Sequence, residues 1–250
     1  VNQKGGVGKT TTAVNLAACL AAANRTVLLI DADPQANTTS ALGVAKDGAS
    51  VYNLLLDSLP VEEAIRPTFV ERLSLISSDA NLYGAEIELL ELEQREFRLQ
   101  RAIQTVAHKF DYVLLDAPPS LGLLTLNVLA AAESLIIPVQ CEYYALEGLS
   151  LLVQTIERVR GHLNPNLEIL GIVMTMYDGR LNIAQQVVEE VRSHFGNKVF
   201  NTPITRSVRL AEAPSHGKPV IFYDFRSAGA QNYIALAEEV LHAVEKAGAR

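Results

Sequence analysis

Three short stretches hold residue types that do chemistry together. The first is GGVGKTT (5–11), which is glycine-rich, ends in Lys-Thr and runs into an apolar helical pattern. Glycines let successive backbone N–H groups turn inward as a nest, with no Cβ between them and a phosphate oxygen. The helix that follows turns its positive end toward the same anion. Lys9 is then spaced to reach the β- and γ-phosphates of a nucleotide, and the Thr10 hydroxyl to ligate Mg²⁺. A glycine turn that only caps a helix needs no Lys-Thr pair, so Gly5, Gly6, Val7, Gly8, Lys9, Thr10 and Thr11 are read as nucleotide-binding. The other two stretches are IDADPQ (30–35) and LLDAPP (114–119). They place Asp31, Asp33 and Asp116 just after apolar runs, at the carboxyl ends of strands, where open α/β sheets put their ligands. Aspartates beside prolines such as Pro34 and Pro118 also cap turns. Next to a phosphate loop, the metal-site reading is the stronger one.

Positioning these groups requires strands that end at one edge. TVLLI (26–30), RLSLIS (72–77), DYVLLD (111–116), SLIIPV (134–139) and LEILGIVMTM (167–176) read as buried strands. They are nearly continuous apolar runs, as a parallel sheet covered on both faces demands. Helical patterns alternate with them over 9–23, 86–108, 121–132, 147–163, 182–195 and 229–247. The βαβα order predicts an α/β fold, doubly wound, with a mainly parallel sheet and helices on both faces. Within the 86–108 helix, the charge-dense stretch EIELLELEQREFRLQR (86–101) is expected to be a solvated face laced by pairs such as Glu91 with Arg95, or a surface that meets a partner. There is no repeat, low-complexity tract or linker, so 1–250 is expected to be a single domain.

Composition narrows the class. Of 250 residues, 49% are hydrophobic and 20% charged, an ordinary globular balance. No apolar run approaches the roughly 18–20 residues of a membrane span. Cys19 and Cys141 have no CxxC spacing and are expected to be buried free thiols in a reducing cytoplasm. The net charge of −7 excludes a protein basic all over, but it is uneven. Residues 1–150 carry 10 basic and 18 acidic side chains, residues 151–250 carry 11 and 10. Over 192–226 the balance is six basic to two acidic, either an ordinary solvated face or one that meets an anion.

The phosphate loop departs from GxxxxGK[ST] by having Lys4 at its first position. KGGVGKTTTAVNLA resembles the deviant Walker A of the ParA/MinD family of ATPases. DADPQANTTSALG (31–43), LLDAPPSLG (114–122), PVQCEYYALEGLS (138–150), TMYDGR (175–180) and VRLAEAPSHGKPV (208–220) extend the likeness to the chromosomal, Soj-like ParA branch over most of the chain. The resemblance implies a P-loop NTPase of the deviant Walker A type, with ATP and Mg²⁺. It also implies that Lys9 serves its own subunit's nucleotide while Lys4 reaches across an ATP-dependent homodimer to the partner's phosphate. By the same resemblance Asp33 positions the attacking water, Asp116 acts on Mg²⁺ through water, and Asp31 supports the metal shell indirectly. Lys4, Lys9 and Asp33 are thus the catalytic candidates.

Further implications concern partners. The family binds duplex DNA nonspecifically as the ATP dimer, and Arg206, Arg209, Lys218 and Arg226 are the candidates here. A ParB-type centromere-binding protein stimulates hydrolysis, which drives chromosome or plasmid segregation from a nucleoid-bound state. Relatives commonly read PRNVRL where this chain has TRSVRL, so Thr205 and Ser207 stand at the positions expected to meet the base. A MinD-like membrane cycle is the rival, but the end ALAEEVLHAVEKAGAR carries Glu238, Glu239 and Glu245, which suits packing better than anionic lipid. An iron protein would need cysteines in the loops after the strands, and LLDAPPSLG has none. A nucleotide-bound scaffold without turnover is opposed by Lys4, Lys9, Thr10 and Asp33 together. The family also has a whole strand ahead of NQKGG, central in the sheet. Only Val1 and Asn2 correspond to it, so the first strand is expected to be truncated.

Overall fold

The computed structural model describes residues 1–2, 4–143 and 145–248, the side chains of 247 and 248 aside. Gln3 of the NQKGG stretch and Tyr144 of the PVQCEYYALEGLS stretch lie outside the described residues. The chain begins with α1 (Lys9–Ala22), β1 (Val27–Asp31), α2 (Asn37–Ala41), α3 (Val51–Leu55), α4 (Val61–Ala64) and β2 (Ile65–Pro67). There follow β3 (Leu73–Ile76), α5 (Leu82–Glu88), α6 (Arg98–Val106), β4 (Tyr112–Asp116), α7 (Leu123–Ala131) and β5 (Ser134–Gln140). The last third holds α8 (Ala145–His162), β6 (Glu168–Thr175), α9 (Asn182–Phe195), α10 (Val208–Glu212), α11 (Val220–Tyr223) and α12 (Ala228–Gly248).

β1 lies between β3 and β4 and is parallel to both, with Asp31 opposite Asp116 at the carboxyl end. That register brings the two acidic motifs together. Side chains alternate along a strand, and both faces are buried here. Val27, Leu29, Leu73 and Leu75 share one apolar cluster with α1 and α12, while Leu28, Ile30 and Ile76 share another with α3, α5, α6 and α7. Each such Leu or Ile contributes about 1.5–3 kcal/mol on leaving water. β5 and β6 pair in parallel and pack with α8 and α9 in a third cluster. The α/β class, parallel strands and two-faced covering agree with the sequence reading.

The hydrogen bonding, however, is divided between a four-stranded and a two-stranded sheet. A cavity of about 410 Å³ is lined by β4, by residues 134–136 and Pro138 of β5, and by Leu16, Leu20 and Val240. Val1 and Asn2 run beside β5: the Val1 amine donates to the Ile136 carbonyl (3.0 Å) and Asn2 Nδ2 to that of Pro138 (2.7 Å).

The expected 86–108 helix is not continuous. α5 buries Leu82 and Ala85, and the 3₁₀ turn that follows it buries Leu89, whereas α6 buries Leu99, Ile103 and Val106. The break falls between them, where Leu92 is extended (φ −94°, ψ 139°) and Gln94 is left-handed with φ 50°. Arg95 therefore meets Glu96 (3.2 Å) and the Leu90 carbonyl (2.6 Å), where a pair with Glu91 was expected. β2, an antiparallel edge strand of three residues ending in Pro67, was also not expected. Its proline fits only a sheet edge. Among the described residues no helix is long and apolar enough to cross a membrane.

Candidate nucleotide site

The glycine loop leads into α1 through Gly8, whose φ of 88° lies where L side chains are strained. Its carbonyl accepts from Thr12 N (2.9 Å), so the helix ladder starts there. Val7 is buried, and its carbonyl accepts from the Thr175 hydroxyl (2.8 Å), which fastens the loop to the end of β6. Lys9 Nζ donates to the Lys4 carbonyl (3.0 Å), and the Lys4 amide to Asn2 Oδ1 (3.0 Å). Lys4 Nζ pairs with Glu142 in the loop after β5 (2.5 Å), and Gln140 donates to the same carboxylate. Burial lowers the Lys9 pKa, while Asp116 and Asp33 oppose that shift. The lysine and both carboxylates thus share one electrostatic neighbourhood.

The Asp116 carboxylate is buried, and its Oδ2 accepts from the hydroxyls of Thr10 (2.8 Å) and Thr38 (2.7 Å). This contact joins the phosphate loop to the acidic end of β4 across 106 residues of sequence. Burial raises the Asp116 pKa, and the two hydroxyl bonds hold it back. Asp31 Oδ2 accepts from the Thr39 amide (2.8 Å) and hydroxyl (2.7 Å), and burial, then Asp116, push its pKa up to about 7. Asp33 is buried too: its Oδ1 accepts from the Gln35 amide (2.9 Å), and its carbonyl from the Ser78 hydroxyl (2.7 Å).

The Thr10 hydroxyl and the Asp116 carboxylate are hard oxygen donors, the set a Mg²⁺ ion prefers. Among the described residues no three His, Cys, Asp or Glu side chains gather to hold a metal by themselves. Such a sparse set suits an ion that takes most of its shell from phosphate and water.

Other expected residues fall in different surroundings. The Thr205 amide and hydroxyl both donate to Asn232 Oδ1 (3.1 and 2.7 Å), so its side chain is spent on α12. Ser207 stands at the start of α10 and makes no capping bond. Thr205 bridges Tyr177 just past β6, at the end where Thr175 meets the phosphate loop. Arg206, Lys218 and Arg226 are exposed. Arg209 pairs with Glu212 (2.8 Å) and Asp224 (3.2 Å), so its charge is largely answered within the chain.

Several site residues had no role assigned from sequence. Thr38, Thr39 and Thr175 lie inside quoted motifs, but which carboxylate or carbonyl they meet depends on the folded path. Asn15 is another: its amide donates to the Thr11 carbonyl and accepts from the Val220 amide (both 2.7 Å), tying the 218–220 segment to α1. A polar residue on the buried side of an apolar helix was the available signal.

Residues 1–169 match a family model described as an AAA domain. The sporulation initiation inhibitor protein Soj of Bacillus subtilis is 55% identical over 241 residues, which is 96% of this chain and 95% of that protein. The chromosome partitioning protein ParA of Myxococcus xanthus is 53% identical over 242 residues, 96% of this chain and 86% of the relative. A crystal structure of cobyrinic acid a,c-diamide synthase from Mycobacterium smegmatis, with bound ATP analog and magnesium, superposes with a TM-score of 0.85 at 36% identity, covering 98% of this chain and 93% of that one. With the phosphate loop and its acidic partners on the same sheet edge, the chain belongs to the ParA/MinD family of P-loop ATPases, in its Soj-like ParA branch.

Proposed function

We propose that this protein is a chromosome- or plasmid-partition ATPase that dimerises around ATP, holds duplex DNA in that state and lets go on hydrolysis. The observation that carries the reading is the contact of the Thr10 hydroxyl with the Asp116 carboxylate at the mouth of the glycine loop. Two relatives at 53% and 55% identity bear partition and sporulation-control names. The diamide synthase, at 36%, supports nucleotide and magnesium binding more than its own amide chemistry.

In this reading Gly5, Gly6, Val7 and Gly8 present amide groups to the phosphates, Lys9 neutralises them, and Thr10 and Asp116 hold the metal side. Magnesium, when bound, offsets charge on the β- and γ-phosphate oxygens. Phosphoryl transfer is mostly positioning and charge stabilisation, so the chain needs one group to aim water, Asp33. Lys4 supplies a cation to the partner's nucleotide, and ATP therefore acts as the adhesive between subunits. Exposed Arg206, Lys218 and Arg226 contribute to a DNA-facing surface, and Arg209 less so because of its ion pairs. A ParB-type protein stimulates turnover.

ATP hydrolysis with and without duplex DNA tests this, using Asp33→Ala beside the parent chain. The variant is expected to bind ATP, turn over slowly and stay on DNA at low salt, where phosphate contacts are strongest. Parent-like turnover in Asp33→Ala would overturn the assignment of the water-positioning group. Failure of the ATP-bound parent to retain DNA at low salt would overturn the DNA reading.

A further inference from the structure

The turn that carries Asp33 lies beyond the strand ladder. β1 ends at Asp31, and its pairing with β4 runs out at the Ala32 amide, which donates to the Asp116 carbonyl (3.0 Å). Asp33–Ala36 then form a turn closed by the Ala36 amide on the Asp33 carbonyl (2.9 Å). Pro34 has no N–H to offer. Ala36 sits at φ 54°, a left-handed conformation strained for a residue with a Cβ. Strained backbone persists only where its surroundings over-determine it. The Asp33 carboxylate belongs to the same turn: Oδ1 accepts from the Gln35 amide (2.9 Å), and no donor among the described residues meets Oδ2. Whatever orients the turn therefore orients that oxygen.

Ser78, in the loop after β3, reaches the turn from the buried side. Its hydroxyl donates to the Asp33 carbonyl (2.7 Å), taking the lone pair that Ala36 leaves. Its amide donates to Thr39 Oγ1 (3.0 Å), and the Thr39 hydroxyl donates to Asp31 Oδ2 (2.7 Å). Asp31 Oδ1 accepts from the Asp33 amide (3.3 Å). Four residues thus close a ring of hydrogen bonds. Ser78, Thr39 and Asp31 are wholly buried, so solvent does not replace a lost member. We propose that Ser78 is a positioning residue for hydrolysis: by holding the Asp33 carbonyl it fixes the turn from which the Asp33 carboxylate aims water. The proposal rests on the role given to Asp33 above. Ser78 meets no reacting atom and acts through the turn alone.

The test is MgATP hydrolysis, with kcat and KM separated, by the full chain and by Ser78→Ala, Ser78→Cys, Asp33→Ala and Asp33→Ala/Ser78→Ala. Ser78→Ala is expected to lower kcat about 2- to 10-fold, the worth of one neutral hydrogen bond expressed as a rate. KM and ATP-analogue affinity should stay at the parent's values. Ser78→Cys, close in volume and a weak donor, should fall between serine and alanine, and it carries the comparison if Ser78→Ala does not fold. In the Asp33→Ala background the serine change should cost nothing further, because a residue that acts through Asp33 then has nothing to act on. A merely structural serine would cost the same factor in both backgrounds. That equal loss, an unchanged kcat in both serine variants, or a loss confined to KM would overturn the proposal. Slow turnover in Asp33→Ala beside parent-like Ser78→Ala would sink this proposal alone. Parent-like turnover in Asp33→Ala would sink the Asp33 reading and this proposal with it.

Discussion

Replacing Glu142 by Gln should strengthen ATP-dependent dimerisation. Lys4, the residue proposed to reach the partner's triphosphate, is held within its own chain by Glu142 at 2.5 Å. To act across an interface it must leave that carboxylate. The two side chains are 46% and 47% exposed, so the pair belongs with surface ion pairs, worth about 0.2–1 kcal/mol each. Two such pairs open per dimer, which makes about 0.4–2 kcal/mol, or about a 2- to 30-fold tighter dimer in Glu142→Gln. Sedimentation equilibrium with a non-cleavable ATP analogue and Mg²⁺ gives the constant directly. The gain should shrink at high salt, where exposed pairs are screened, and vanish in Lys4→Ala. An unchanged or weaker dimer in Glu142→Gln would refute the competition between carboxylate and phosphate for Lys4.

Other outcomes follow from the same geometry. Thr38→Val removes one of two hydroxyls on the buried Asp116 carboxylate; a lost bond to a charged group costs about 1.5–3 kcal/mol, lowering the thermal midpoint by about 3–12 °C, and an unshifted melt would contradict it. Asp31 has a folded pKa raised from 3.8 to about 7. The folded state therefore binds its proton more tightly, and stability from this group is full below 3.8 and declines as pH rises to about 7. Nucleotide-free melts across that range should fall in the parent and lack that component in Asp31→Asn; identical slopes would contradict the assignment. Burial pushes the Cys19 and Cys141 thiols up to about 12 and 11, so neither should react with iodoacetamide at pH 8 until the chain unfolds.

The parts readable from sequence are those whose physics is local. The phosphate loop needs glycines, a lysine and a threonine within a few residues, and strands buried on both faces print as apolar runs. β1, β4, β5 and β6 therefore appear within a residue or two of their expected bounds. The 86–108 segment misled because each half has helical apolar spacing and no Gly or Pro marks the turn at Gln94. The break shows only in the folded path, where Leu92 is extended and Gln94 left-handed. β2 is too short and too polar to signal itself. The hydroxyls of Thr10 and Thr38 could not be matched to Asp116 in advance, since that contact depends on the β1–β4 register. Arg209 looked free among basic neighbours, and folding brings Glu212 and Asp224 to it.

The central claim is that the nucleotide's third phosphate decides whether two copies hold together. Analytical ultracentrifugation of the protein, once with MgADP and once with a non-cleavable ATP analogue and Mg²⁺, measures it most directly. The account predicts the 27.1 kDa chain alone with ADP and a species of twice that mass with the analogue. The same mass in both would contradict it.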